Sequence, residues 1–212
     1  MFRSVAINAL VLVFAVVILL ISVFSVGSPT YVFSQSSNLD GEAIVPDAQE
    51  QVDVIYELPY PGRVSPDHPL WPVKALRDKL TLIFTFALDK KSELNLLYAD
   101  KRLIASKDLF EKDKPELGFT TLTKSQMYLE TAYNLDKENR EMGDKDTQLL
   151  RSIANASLKH RQVIEEIIAI SPEDAKPKIV EVMDVSKMIY DDTKIALMSV
   201  GIDPPKSPFE GN

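Results

Sequence analysis

Apolar residues recur every three or four positions from Val73 to Val200, and proline, glycine and charge clusters cut that pattern into five runs. This spacing keeps one side of a helix apolar. The sequence has no alternating runs bounded by hairpin turns. An all-α fold follows: an antiparallel bundle of about five helices with short connections, preceded by an N-terminal transmembrane or signal helix.

The first run starts between Pro69 and Pro72, both tolerable in a first turn, and its expected core face is Val73, Leu76, Leu80, Ile83 or Phe84, and Ala87. In the second run, Leu94, Leu97, Tyr98, Lys101, Ile104, Ala105 and Leu109 form one stripe. Leu96, Leu103 and Phe110 add another, so this helix is expected to touch neighbours on two sides. Pro115 and Glu116 open a third helix with Leu122, Gln126, Leu129 and Ala132 or Tyr133 on its face, closed by Gly143-Asp144. The fourth covers about residues 146–170, with Leu150, Ile153, Ala154, Ser157, Arg161, Ile164, Ile167 and Ile168 as its stripe. Ser171-Pro172-Glu173-Asp174 reads as the capped start of a fifth, in which Pro177 implies a kink or a second start. Its face begins at Ile179, Val182 and Met183 and ends near Val200. Gly201-Ile202 suits a left-handed cap, Pro204-Pro205 stops continuation, and residues 203–212 are expected to be a disordered tail.

The N-terminus is of another kind. Ser4 to Val26 is an uncharged, largely apolar run of 23 residues, long enough to cross a bilayer. Arg3 precedes it and no basic residue follows until Arg63, which puts the N-terminus in the cytoplasm and the rest outside. Residues 1–34 are therefore a transmembrane anchor, or a signal peptide cut before Gln35. Residues 35–55 are rich in Ser, Asp, Glu and Gln and read as a flexible linker to a helical domain over 56–202.

Charge and composition narrow the partners. The net charge is −7, which disfavours nucleic acid and an anionic membrane surface, since both need clustered Lys and Arg. The absence of cysteine excludes disulfides and thiolate metal sites. The seven glycines form no nucleotide-binding loop, and there is no Gly-x-Ser-x-Gly elbow. His68 and His160 have no metal-ligand spacing, and neither follows a Glu at three residues, so no cofactor or metal is expected. His68 beside Asp67 reads as a turn residue. The dense charges of the first two helices, including Arg77, Asp78, Asp100 and Arg102, read as a solvated face; pairing of Asp100 with Arg77 or Arg102 is the sharper alternative.

A proline and tyrosine strap precedes the first helix: Tyr56, Leu58, Pro59, Tyr60, Pro61 and Gly62, then His68 and Trp71 in a second proline cluster. Pro61-Gly62 suits the centre of a type II turn. Leu58, Tyr60 and Leu70 are expected to pack on the helices; the alternative is a ligand-facing loop.

Leu58-Pro59-Tyr60-Pro61-Gly62, Pro66-Asp67-His68-Pro69-Leu70-Trp71, Lys74-Ala75-Leu76-Arg77-Asp78-Lys79-Leu80, Lys90-Lys91-Ser92-Glu93-Leu94 and Ala99-Asp100-Lys101-Arg102-Leu103 together resemble an uncharacterised family, a domain of unknown function in exported or membrane-anchored prokaryotic proteins. The resemblance covers about residues 56–135. It implies an exported helical domain and carries no catalytic residue. The expected function is a non-enzymatic extracytoplasmic domain, membrane-tethered or secreted, acting through protein or cell-envelope contacts. The alternative is a binding module for a peptide, glycan or small apolar ligand that uses the strap.

Overall fold

The computed structural model describes Phe33 and residues 54–209. The expected anchor or signal helix and most of the linker lie outside the described residues. No helix among the described residues is long and apolar enough to cross a membrane.

The described residues form five helices and no strand: α1 (Trp71–Phe84), α2 (Leu88–Glu111), α3 (Pro115–Glu141), α4 (Gln148–Ile170) and α5 (Lys176–Ser199). Leu96, Ala99, Leu129, Ala132, Ile153, Ala156 and Ile189 bring α2 to α5 into one core. The turn between α2 and α3 closes with Asp113 in the left-handed region, and the Lys114 N–H reaches the Leu109 carbonyl.

Small residues let α2 and α3 approach closely. Ser92, Ala99 and Ser106 recur every seven residues on α2, as Gly118, Ser125 and Ala132 do on α3. Ser92 Oγ donates to the Ala132 carbonyl (2.7 Å), Ser125 Oγ to Ala99 (2.8 Å) and Ser106 Oγ to Gly118 (2.8 Å). The three serines are buried, so each bond satisfies a hydroxyl that would otherwise cost about 1–3 kcal/mol. This antiparallel seam selects the Leu96, Leu103 and Phe110 side of α2 as its core face. Tyr98, Ala105 and Leu109 of the other expected stripe are buried as well, so α2 meets neighbours on two sides as expected, while Leu94, Leu97, Lys101 and Ile104 are only half-buried.

The expected face of α3 is in place: Leu122, Gln126, Leu129, Ala132 and Tyr133 are all buried. Elsewhere the structure corrects the expectation. His160, not Arg161, takes the core position on α4. Ser171 does not cap α5. Its hydroxyl donates back to the Ile167 carbonyl, and the helix starts at Lys176 with Pro177 in its first turn, where a missing N–H costs nothing. Gly201 (φ 78°) and the Ile202 N–H to the Leu197 carbonyl close that helix in the left-handed manner. The tail is ordered at least as far as Phe209. Arg151 donates to the Asp203 carbonyl, Tyr190 donates to that of Pro205, and Phe209 packs beside Val54, Leu158 and Tyr190.

The largest departure is α1. Asp78 is its one buried residue among those described, while Val73, Ile83 and Phe84 are 61–70% exposed. The stripe expected to face the core faces solvent.

Candidate functional site

Two arrangements concentrate the polar side chains of this fold, and both meet at the strap. The strap enters at Val54, which is buried against Leu158 and Tyr190 with its N–H on Gln162 Oε1 (3.2 Å). Two residues on, the Tyr56 hydroxyl donates to Asp100 Oδ2 (2.8 Å). Asp100 Oδ1 accepts from His160 Nε2 (3.0 Å), and His160 Nδ1 meets Gln126 Nε2 (2.9 Å). With the Gln126 amide donating to Nδ1, the imidazole proton sits on Nε2 and points at the carboxylate. Strap, α2, α4 and α3 are thus joined by one chain of hydrogen bonds. Burial, then the Asp100 charge, push the Tyr56 phenol far above the usual tyrosine range.

The second arrangement lies outward of the first. Gly62 has φ 92°, and Lys74 Nζ donates to the carbonyls of Pro61 (2.8 Å) and Val64 (2.9 Å), tying the turn to α1. Asp67 pairs with Lys114 Nζ (2.6 Å) and accepts from Ser65, and these bonds hold its carboxyl well below the usual range. His68 Nδ1 accepts the Leu70 N–H. Trp71 stands 5.7 Å from the Arg102 guanidinium carbon, which also faces Tyr128 (4.4 Å) and Tyr98 (5.9 Å). Arg102 is buried, and its Nε has no hydrogen-bond partner among the described residues. Three ring faces stand in for one, each worth about 0.5–2 kcal/mol. Around it, burial and neighbouring cations press the ammonium groups of Lys74, Lys79 and Lys124 below the usual lysine range.

The expectation of a solvated charged face therefore fails at Asp78, Asp100 and Arg102, which are 2–6% exposed. The alternative pairing fails as well: Asp100 binds Tyr56 and His160, and Arg77 pairs with Asp78 (2.7 Å). Tyr60 and Leu70 do not pack on the helices; they are 72% and 58% exposed. Leu58, Pro59 and Pro61 are half-buried. Tyr56 is the strap aromatic that reaches inward. Gln126 and His160 were not among the candidates. Their signal was a polar residue at a position where the helical period calls for an apolar one.

The cleft between strap, α1 and α2, lined by Gly62, Val64, Trp71, Lys74 and Arg102, holds about 50 Å³. That is room for a water or two. A shallower cleft of about 140 Å³ lies where the tail passes α4 and α5. His160 is fully buried and opens onto neither, and no group of three His, Asp or Glu able to hold a metal occurs among the described residues.

These features define an all-α domain whose helices are locked by buried polar bonds. The chain belongs to the DUF5667 family, a domain of unknown function, which it matches over residues 63–174, just over half its length. No curated protein and no solved structure is detectably similar to it. The match takes in Asp100, Arg102, Gln126 and His160 and runs to the end of α4, well past residue 135. Tyr56 to Gly62 of the strap, and α5, lie outside it.

Proposed function

We propose that this chain is a non-enzymatic extracytoplasmic domain, held to the cell membrane by residues 4–26 and acting through protein or envelope contacts. Phe33 carries the tethering part of this reading. Its ring meets Phe119 edge-on (5.5 Å between centroids), its N–H donates to Glu116 Oε1 (3.2 Å), and it is 7% exposed. A cut before Gln35 would discard a side chain that the folded domain buries, which favours an uncleaved anchor over a signal peptide. The orientation rests on Arg3 and the lack of basic residues up to Arg63. The non-enzymatic reading draws on the burial of His160 and the small strap cleft, far below the roughly 300–1,000 Å³ of ligand pockets. That volume also counts against a glycan or small apolar ligand at the strap.

Two measurements test this. The intact mass of the protein from its native membrane should begin at or next to Met1; a chain beginning at Gln35 would sink the anchor. Residues 1–40 fused to a reporter should place it outside the cytoplasm, and an active cytoplasmic reporter would sink the orientation.

A further inference from the structure

We propose that α1 is an interfacial helix whose outward apolar stripe lies on the phospholipid bilayer that tethers the chain. The proposal deepens the membrane-anchor reading and rests on it. At 3.6 residues per turn, Trp71, Ala75, Asp78 and Leu82 share the side of α1 turned to the bundle. Val73, Leu80, Ile83 and Phe84 share the opposite side, 42–70% exposed, with Leu70 and the 85% exposed Phe86 at its ends. An apolar stripe of this length facing water calls for a cover.

Charge points to the cover. Residues 63–86 hold four basic side chains (Arg63, Lys74, Arg77 and Lys79) and two acids (Asp67 and Asp78), a net +2 in a chain of −7. Both acids are engaged, with Lys114 and Arg77. Arg77 and Lys79 fall on the two edges of the stripe: Arg77, paired with Asp78 but 69% exposed in its side chain, and the half-buried Lys79 place cationic groups at headgroup depth while the apolar residues sit deeper. The whole-chain charge, which argued against an anionic surface, hides this local excess. A two-fold copy of the chain would instead set the same basic rim against itself.

The length of chain between the apolar run and the domain allows the stripe to reach the membrane. The apolar run ends at Val26, seven residues before Phe33, a reach of at most about 25 Å. Phe33 is fixed to Glu116 in the first turn of α3. Asp67, four residues before α1, is fixed to Lys114 at the start of that same turn. Phe33 and the entry to α1 are thus both held at the first turn of α3.

The sequence has no cysteine, so single-cysteine variants of the full chain carry one dye each. Phe84→Cys reports the stripe, Val16→Cys the tether, and Lys145→Cys the exposed turn between α3 and α4. The labelled proteins are reconstituted in vesicles of phosphatidylcholine and phosphatidylglycerol, then exposed to bromine-labelled acyl chains or to aqueous iodide. Because Phe84 is exposed, its variant should keep the circular dichroism of the parent. The Phe84 and Val16 dyes should lose most of their emission to bromolipid, and the Lys145 dye to iodide. A Phe84 dye quenched by iodide beside a lipid-quenched Val16 dye overturns the interfacial helix and leaves the anchor standing. A Phe84 dye shielded from both quenchers marks a protein contact and overturns it too. Lipid quenching at Phe84 with iodide quenching at Val16 upholds the helix and sinks the anchor.

Discussion

Asp100 and His160, sixty residues apart in sequence, face each other at 3.0 Å, both buried among the helices of the bundle. The pair sets α4 against α2. Removing one partner strands the other's polar atoms in the core, so His160→Leu should lower stability by on the order of 3 kcal/mol or more. The double variant Asp100→Leu/His160→Leu should lose clearly less than the sum of the two single changes, since neither group is then left stranded. Chemical denaturation of the four proteins measures this, and simple additivity would refute the coupling.

Tyr56 closes the same network from the strap. Tyr56→Phe removes one hydrogen bond to the carboxylate and should cost about 1.5–3 kcal/mol in chemical denaturation. Below about pH 10 the phenol is neutral in both the folded and the unfolded chain. Above it the unfolded chain ionises first, because the folded phenol is pushed up, so stability falls as pH rises. That alkaline decline should be shallower in Tyr56→Phe. Tyr60→Ala, at an exposed position, should stay within about 0.5 kcal/mol of the parent in chemical denaturation.

Two glycines are predicted to resist substitution for different reasons. A Cβ at Gly118 would lie 2.8 Å from the Phe110 ring inside the serine seam, so Gly118→Ala should cost about 1–3 kcal/mol. At Gly62 the obstacle is the backbone: with φ 92°, Gly62→Val should destabilise the turn that Lys74 holds, by about 1–2 kcal/mol. Thermal melts compare both with Gly143→Ala, where φ is also positive but no atom lies near.

Lys124 offers a change of the opposite sign. Burial, then Arg102 and Lys79, depress its folded pKa. Its charge therefore opposes folding at neutral pH, and that cost fades as pH rises from the folded value to the unfolded one near 10.4. The Lys124 side chain is itself exposed, so solvent screens most of that cost: Lys124→Met keeps helix propensity and should raise the melting temperature at pH 7 only slightly, with the gain vanishing toward pH 10. An equal gain at both pH values would show that charge is not its cause.

Much of the architecture was legible because helical periodicity is a local property. Leu122, Gln126, Leu129, Ala132 and Tyr133 sit on one face of α3 whatever surrounds them, and Gly201 ends α5 because the next residues cannot continue it. The site was less legible. Asp100 looks like a surface residue, and Gln126 and His160 look like polar interruptions of an apolar face, until their partners are known, and those partners are 34 to 60 residues away.

By itself the sequence determined five helices, their approximate ends, the apolar run ahead of them and the polarity of each helix face. Only the tertiary structure decided which faces α1 and α2 present to their neighbours. For α2 the decision came from the seven-residue seam of small side chains shared with α3, where close backbone approach and three serine bonds outweigh the larger stripe of Leu94, Leu97 and Ile104. For α1 it came from the strap: Lys74 bound to Pro61 and Val64, together with Trp71 over Arg102, turns the side of Trp71, Ala75, Asp78 and Leu82 inward and leaves Val73, Ile83 and Phe84 outside. An apolar stripe states that a helix needs a cover, and the long-range polar bonds determine what remains to provide it.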